Sequence, residues 1–388
     1  MIPPKRNALN ARATLSNSGR SVQFAQETQE KNRSIPSLDG LRALSVIAVI
    51  LGHSQSAFLD RIPGNASFRN GMQGVSVFFV ISGFLITQLV VKELRRDGQI
   101  NLKRFYLRRT FRIFPPFYVY LLVIAALVLL HQAYVSPTSM LVAATYTWNY
   151  VPSAGTWLLG HFWSLALEEQ FYLLWPICMA TFSRRANLAI AAGVILLSPL
   201  SRVVTYYAWP AMRINMAMML HTHLDTIMTG CLLSLVLDLK IWEKFTKLAL
   251  SPIAPISAVL FLLAIDTPAE HRWRGMYQMT VGITLENVAI AAILLYVVFR
   301  HESLVGRFLN TRLLRHIGMI SYSLYLWQQL FTGPYTRFFP LNMFCILACA
   351  ELSYWVVEKP SFRVRDLVQR RLSSSIIVSG NAPVLELR

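Results

Sequence analysis

Ten apolar stretches run through this chain, at about residues 41–58, 72–91, 114–130, 162–182, 187–205, 216–237, 253–265, 279–299, 314–332 and 339–357. A polypeptide this greasy has to satisfy its backbone hydrogen bonds inside a bilayer, and helices do that within one segment. With 54% hydrophobic and only 14% charged residues, the composition excludes an ordinary soluble domain pair. The fold expected is an all-α integral membrane protein, a polytopic bundle of about ten transmembrane helices. Residues 139–151 are apolar too, but too short to cross, and read as a re-entrant or interfacial piece.

A net charge of +18 suggests nucleic-acid binding until its distribution is mapped. If the first span leaves the cytoplasm, 29 of the 37 Lys and Arg residues fall on the cytoplasmic side and seven outside, with Arg42 inside the first span. That bias predicts two cytoplasmic termini, attraction to anionic lipid in the bilayer, and no nucleic-acid partner. Residues 1–36 read as a polar, disordered cytoplasmic tail, 37–365 as the transmembrane domain, and 366–388 as a second cytoplasmic tail, with no cleavable leader and no soluble domain to follow. The four cysteines, Cys178, Cys231, Cys345 and Cys349, all lie in apolar spans, where they read as small core residues.

Ionisable residues inside the spans are where function is expected. Arg42 and His53 are eleven residues apart, so on a helix they share a face to within about 20° and lie about 16 Å apart. The first would sit near the inner surface and the second near mid-depth. Arg42 could instead snorkel to the surface, and His53 could simply bond a neighbouring helix. In the second span Gly74, Ser82 and Gly83 would allow close packing, or Ser82 would line a cavity. The run from Leu102 to Pro116 alternates basic with aromatic and aliphatic residues. It predicts an amphipathic surface helix, or a phosphate platform in which Arg109 and Arg112, one turn apart, grip a pyrophosphate.

Adjacent carboxylates, Glu168 and Glu169, fall in the fourth span, at about the depth expected of His53. Packing does not explain them, and one could orient the imidazole or bind a hydroxyl acceptor. The sixth span carries His221-Thr-His223-Leu-Asp225, and the ninth Ser321-Tyr-Ser-Leu-Tyr325-Leu-Trp-Gln328-Gln329. Two-residue spacing turns the histidine rings to opposed faces, so no metal site is predicted.

Taken in order, these segments resemble the membrane acyltransferase family 3, many of whose members are O-acetyltransferases of bacterial surface polysaccharides. The likeness runs from Ser37 to Arg363. It rests on Leu38-Asp-Gly-Leu-Arg42 with His53, Gly74 to Thr87, Arg109-Thr-Phe-Arg112, Trp163-Ser-Leu-Ala-Leu-Glu168, Ile320 to Trp327, and Glu358-Lys-Pro360. It implies acetyl-CoA as donor, a saccharide acceptor, and a place in the bacterial inner (cytoplasmic) membrane. The family's arginine-to-histidine motif falls on Arg42 and His53, its arginine pair on Arg109 and Arg112, and its glutamate on Glu168. Two positions depart: Gln328 stands where many members have histidine, and His223 where many have arginine.

The reading is therefore transfer of an acetyl group from cytoplasmic acetyl-CoA to a sugar hydroxyl. Arg42, Arg109 and Arg112 would bind the donor, while His53 and Glu168 would be catalytic. Ser82, Glu169, Asp225, Tyr325 and Gln328 would meet the substrate. His53 could act as general base or carry the acyl group as a nucleophile. The alternatives are a transporter of small anions or lipid-linked sugars, or the same enzyme with succinyl or propionyl as the group moved.

Overall fold

A computed structural model describes residues 36–54, 71–151, 156–237, 239, 242, 246–247, 249–273, 275–333 and 339–380. No strand occurs among them. Helices α1 (Pro36–His53), α2 (Gly71–Asp97) and α3 (Leu102–Leu129) come first. A short α4 (Pro137–Ala144) precedes α5 (Phe162–Thr181), α6 (Arg184–Ala208) and α7 (Leu220–Val236). Then come α8 (Ile253–Glu270) and α9 (Gly275–Phe299), α10 (Leu304–Leu309), α11 (Arg312–Met319) and α12 (Ser321–Phe331). The last is α13 (Leu341–Arg371), which continues as helix to Gly380.

Among the described residues, six of these helices are long and apolar enough to cross a membrane: α2, α3, α6, α8, α9 and α13. The other four predicted spans fold as helices that are shorter or more polar. α1 carries Asp39, Arg42 and His53, α5 carries Glu168 and Glu169, α7 carries His221, His223 and Asp225, and α12 has only 11 residues. Three of these four, α1, α5 and α12, hold residues of the candidate site. A helix that must present charge to an internal cavity cannot also be uniformly apolar.

Three boundaries differ from expectation in ways that matter. α1 begins at Pro36 and ends at His53, so the imidazole sits at a helix end rather than near mid-span. Its neighbour Gly52 lies beside Gly71, the first residue of α2. The basic run is not a separate surface helix: it is the first turns of α3, which continues through Pro115 and Pro116 to Leu129. Asn101 starts it by accepting from the Arg104 N–H at 2.9 Å, the usual remedy for an orphan donor at a helix N-terminus. The ninth predicted span breaks after Met319, giving α11 and α12 in place of one rod. Residues 139–151 form α4 and a 3-10 turn, Trp148–Tyr150, neither long enough to span.

The core is aromatic. Phe79, Phe117, Tyr120, Phe162, Trp163 and Trp175 are all buried in one cluster, three of them from α5. Close backbone approach fixes α2 against α7. A Cβ on Gly83 would strike the Ile227 carbonyl, and one on Gly230 the Val80 carbonyl, so the two glycines set the spacing from both sides. α6 is tied to α7 by a buried ion pair, Arg202 to Asp225 at 3.0 Å. Arg202, one of the seven cations expected on the outer side, is inside the protein and 1% exposed.

Candidate active site

A cavity of about 310 Å3 runs between α1, α2, α3, α5 and α12. α2 lines it from Val75 to Lys92, about 25 Å of helix axis against a hydrocarbon thickness of about 30 Å. α1 contributes Leu38, Asp39 and Arg42, and α3 contributes Arg109 and Arg112. Ser164, Glu168 and Tyr172 enter from α5, and Ser321, Tyr322 and Tyr325 from α12. The arginines are placed by helical spacing, Arg109 and Arg112 lying one turn apart on α3 and both lining the cavity.

Arg42, Arg109 and Arg112 are each half-buried. Among the described residues none of the three is held in a salt bridge with a carboxylate. Arg109 lies over the ring of Tyr172 at 5.0 Å and that of Phe105 at 5.8 Å, which orients the guanidinium and leaves its donors free for an anion. Lys92 adds a fourth cation to the cavity wall, about 15 Å of helix axis from Ser82.

Deeper in, one oxygen of Glu168 accepts hydrogen bonds from both the Ser82 and the Tyr172 hydroxyls, and those hydroxyls are 3.2 Å apart. Tyr172 stands four residues after Glu168 on α5, so the two share a face. That spacing was visible in the sequence, and Tyr172 is the site residue it would have found. Tyr325 bonds Ser164 across the cavity's end and meets the ring of Phe78 at 6.2 Å.

His53 is not among the lining residues. Its Nδ1 lies 3.0 Å from Oε1 of Gln328, and its ring meets Trp157 edge-on at 5.4 Å. The expectation that Glu168 orients the imidazole is therefore corrected: Gln328 holds it, and Glu168 is engaged by Ser82 and Tyr172. Gln328 comes one turn after Tyr325 on α12, about 5 Å further along the helix axis. Gln328 itself is fully buried and supports His53 rather than facing the cavity.

Two other expected substrate contacts are also displaced. Asp225 is fully buried in its pair with Arg202 and lines no part of the cavity. The cation beside Asp225 comes from α6, a pairing that linear spacing cannot reveal. Glu169 lies outside the lining as well, and its buried Oε1 has no hydrogen-bond partner among the described residues. Of the expected set, Arg42, Ser82, Arg109, Arg112, Glu168 and Tyr325 do converge. Among the described residues, no group of three or more His, Cys, Asp or Glu side chains is arranged to hold a metal ion.

Comparison with known proteins bears on this geometry. The family model for an acyltransferase domain, of the acyltransferase 3 type, matches residues 35–357. O-acetyltransferase OatA from Staphylococcus aureus strains NCTC 8325 / PS 47, COL and MRSA252 is 29% identical over 365 residues in each case. Those alignments cover 84% of this chain and 57% of the relative, so the chain spans little more than half the length of the curated relatives it matches. No solved structure matches. The match takes in all five cavity-lining helices, the three arginines and the Ser82–Glu168–Tyr172 cluster, and the chain belongs to the membrane acyltransferase family 3.

Proposed function

We propose that the protein is a multi-pass membrane O-acyltransferase that moves an acetyl group from cytoplasmic acetyl-CoA to a sugar hydroxyl at the outer half of the membrane. The observation that carries this reading is the meeting of three half-buried guanidiniums, none in a salt bridge among the described residues, in one cavity with a hydroxyl–carboxylate cluster. Cations left unpaired in a low-dielectric cavity are costly unless an anion completes them. Phosphates of a CoA ester would do so through bidentate contacts. The cavity follows α2 for about 25 Å, a length suited to an extended arm that carries a thioester away from its phosphates.

The topology that goes with this is ten crossings with both termini in the cytoplasm, in the inner membrane of a bacterium. Arg42, Lys92, Arg109 and Arg112 then lie toward the cytoplasm, where the donor is made. His53 lies toward the opposite side, where a saccharide would arrive. In the reaction the acceptor oxygen attacks the thioester carbonyl while its proton passes to His53. The new C–O bond replaces the C–S bond, and the proton returns to the departing thiolate. Glu168, with Ser82 and Tyr172, would set the polarity beside the thioester.

Purified protein in detergent should hydrolyse acetyl-CoA slowly and transfer acetyl to a saccharide acceptor faster. Arg42→Ala should raise the KM for acetyl-CoA at least about tenfold, a loss of roughly 1.4 kcal/mol. His53→Ala should abolish transfer with little change in the affinity for acetyl-CoA. Anion or lipid-linked sugar flux in vesicles without any thioester turnover would point to a carrier and overturn the proposal.

A further inference from the structure

Burial of two consecutive glutamines beside His53 has a chemical consequence. Gln328 and Gln329 are 0% and 2% exposed, so bulk water reaches neither amide. Gln329 donates from Nε2 to the backbone carbonyl of Trp157 at 2.7 Å. A carbonyl can only accept, so the amide of Gln329 has one orientation. Its Oε1 must then face Gln328, which donates from Nε2 at 2.7 Å. That in turn leaves Oε1 of Gln328 toward His53, 3.0 Å from Nδ1, with the Thr332 hydroxyl 3.1 Å from the same oxygen. Turning over either amide would set two acceptors or two donors against each other in a buried place, where an unsatisfied polar group is costly.

We infer that this relay, anchored on one backbone carbonyl, holds neutral His53 as the Nδ1–H tautomer. Free histidine side chains in water favour the opposite one, so the protein has to impose it. Gln328 and Gln329 are positioning residues: they touch the imidazole or its holder, not the substrate. Trp157 reinforces them, because its indole N–H donates to the backbone carbonyl of Gln329 at 3.0 Å and its ring meets the imidazole edge-on at 79°. The lone pair is thereby left on Nε2. Resting on the function proposed above, this makes Nε2 the atom that takes the acceptor's hydroxyl proton as the C–O bond forms and the C–S bond breaks, and that returns it to the thiolate. Nδ1–H stays bonded to Gln328 throughout.

The test is nitrogen NMR on the full chain in lipid nanodiscs, with 15N-labelled histidine and the His53 signal assigned by its loss in His53→Ala. At a pH where the ring is neutral, the wild type should show a protonated Nδ1 and a bare Nε2. Gln329→Met should scramble this preference and lower kcat about tenfold, leaving the KM for acetyl-CoA unchanged. Adding Gln328→Glu to Gln329→Met should restore the Nδ1–H signal, because a carboxylate can only accept. A wild-type spectrum of the Nε2–H form would overturn the inference, and this needs no variant to fold. So would a Gln329→Met protein that keeps the Nδ1–H form intact. A correct tautomer together with normal turnover in His53→Ala would uphold the relay and bring down the role of His53 as base.

Discussion

Removing the guanidinium of Arg202 should cost far more stability than removing the whole ion pair it belongs to. Arg202 and Asp225 are 1% and 0% exposed and 3.0 Å apart. Arg202 also donates to the Thr222 carbonyl at 2.9 Å and the Met279 carbonyl at 3.1 Å, stitching α6 to α7 and to the start of α9. Arg202→Met strands a buried carboxylate, for which about 3–5 kcal/mol is expected. In Arg202→Met/Asp225→Leu no charge is left behind. The two carbonyls still lose a donor, a residual cost of about 1–3 kcal/mol, so the double variant should be the more stable of the two. The assay is the temperature at which half the detergent-solubilised protein is lost from the monodisperse gel-filtration peak. The single variant should fall by something on the order of 5–10 °C, and the double should recover at least half of that. Neither residue lines the cavity, so the double variant should bind acetyl-CoA with the wild-type KM. A single variant as stable as the wild type would refute the ion-pair argument. A double variant that recovers stability but loses donor or acceptor turnover would return Asp225 to the substrate path.

Other outcomes follow from the same geometry. Glu168→Gln keeps the size of the side chain but removes the charge that Ser82 and Tyr172 face; kcat should fall about a hundredfold or more, with the KM for acetyl-CoA within twofold in steady-state assays. Gly230→Leu should prevent α2 and α7 from closing, since even a Cβ there meets the Val80 carbonyl and the Phe84 N–H; a loss of at least about 3 kcal/mol should appear as failed recovery of monodisperse protein. Arg109→Lys keeps the charge but loses the planar fork and much of the stacking on Tyr172; its KM for acetyl-CoA should rise about fivefold to tenfold and grow more sensitive to salt.

Much of the fold was legible because a bilayer leaves a chain few choices. Apolar length and the lopsided placement of Lys and Arg are enough to predict an all-helical membrane bundle. A period of 3.6 residues is enough to place Arg109 beside Arg112. That rule also places Glu168 beside Tyr172, a pairing the sequence held but which only the shared hydrogen bonds made noticeable. What a helical period cannot say is how each rod is rotated, or which rods touch. Arg42 and His53 do belong to one helix, yet α1 stops at His53, and the imidazole's partner is Gln328, 275 residues away in the chain. Asp225 looked like a substrate contact until α6 brought Arg202 against it. Local spacing along each helix is thus determined by sequence alone. The partners of His53, Glu168 and Asp225 were decided only when packing of glycines and aromatics fixed the distances between helices, because hydrogen bonds and ion pairs are short-ranged and exist only at the separations packing allows.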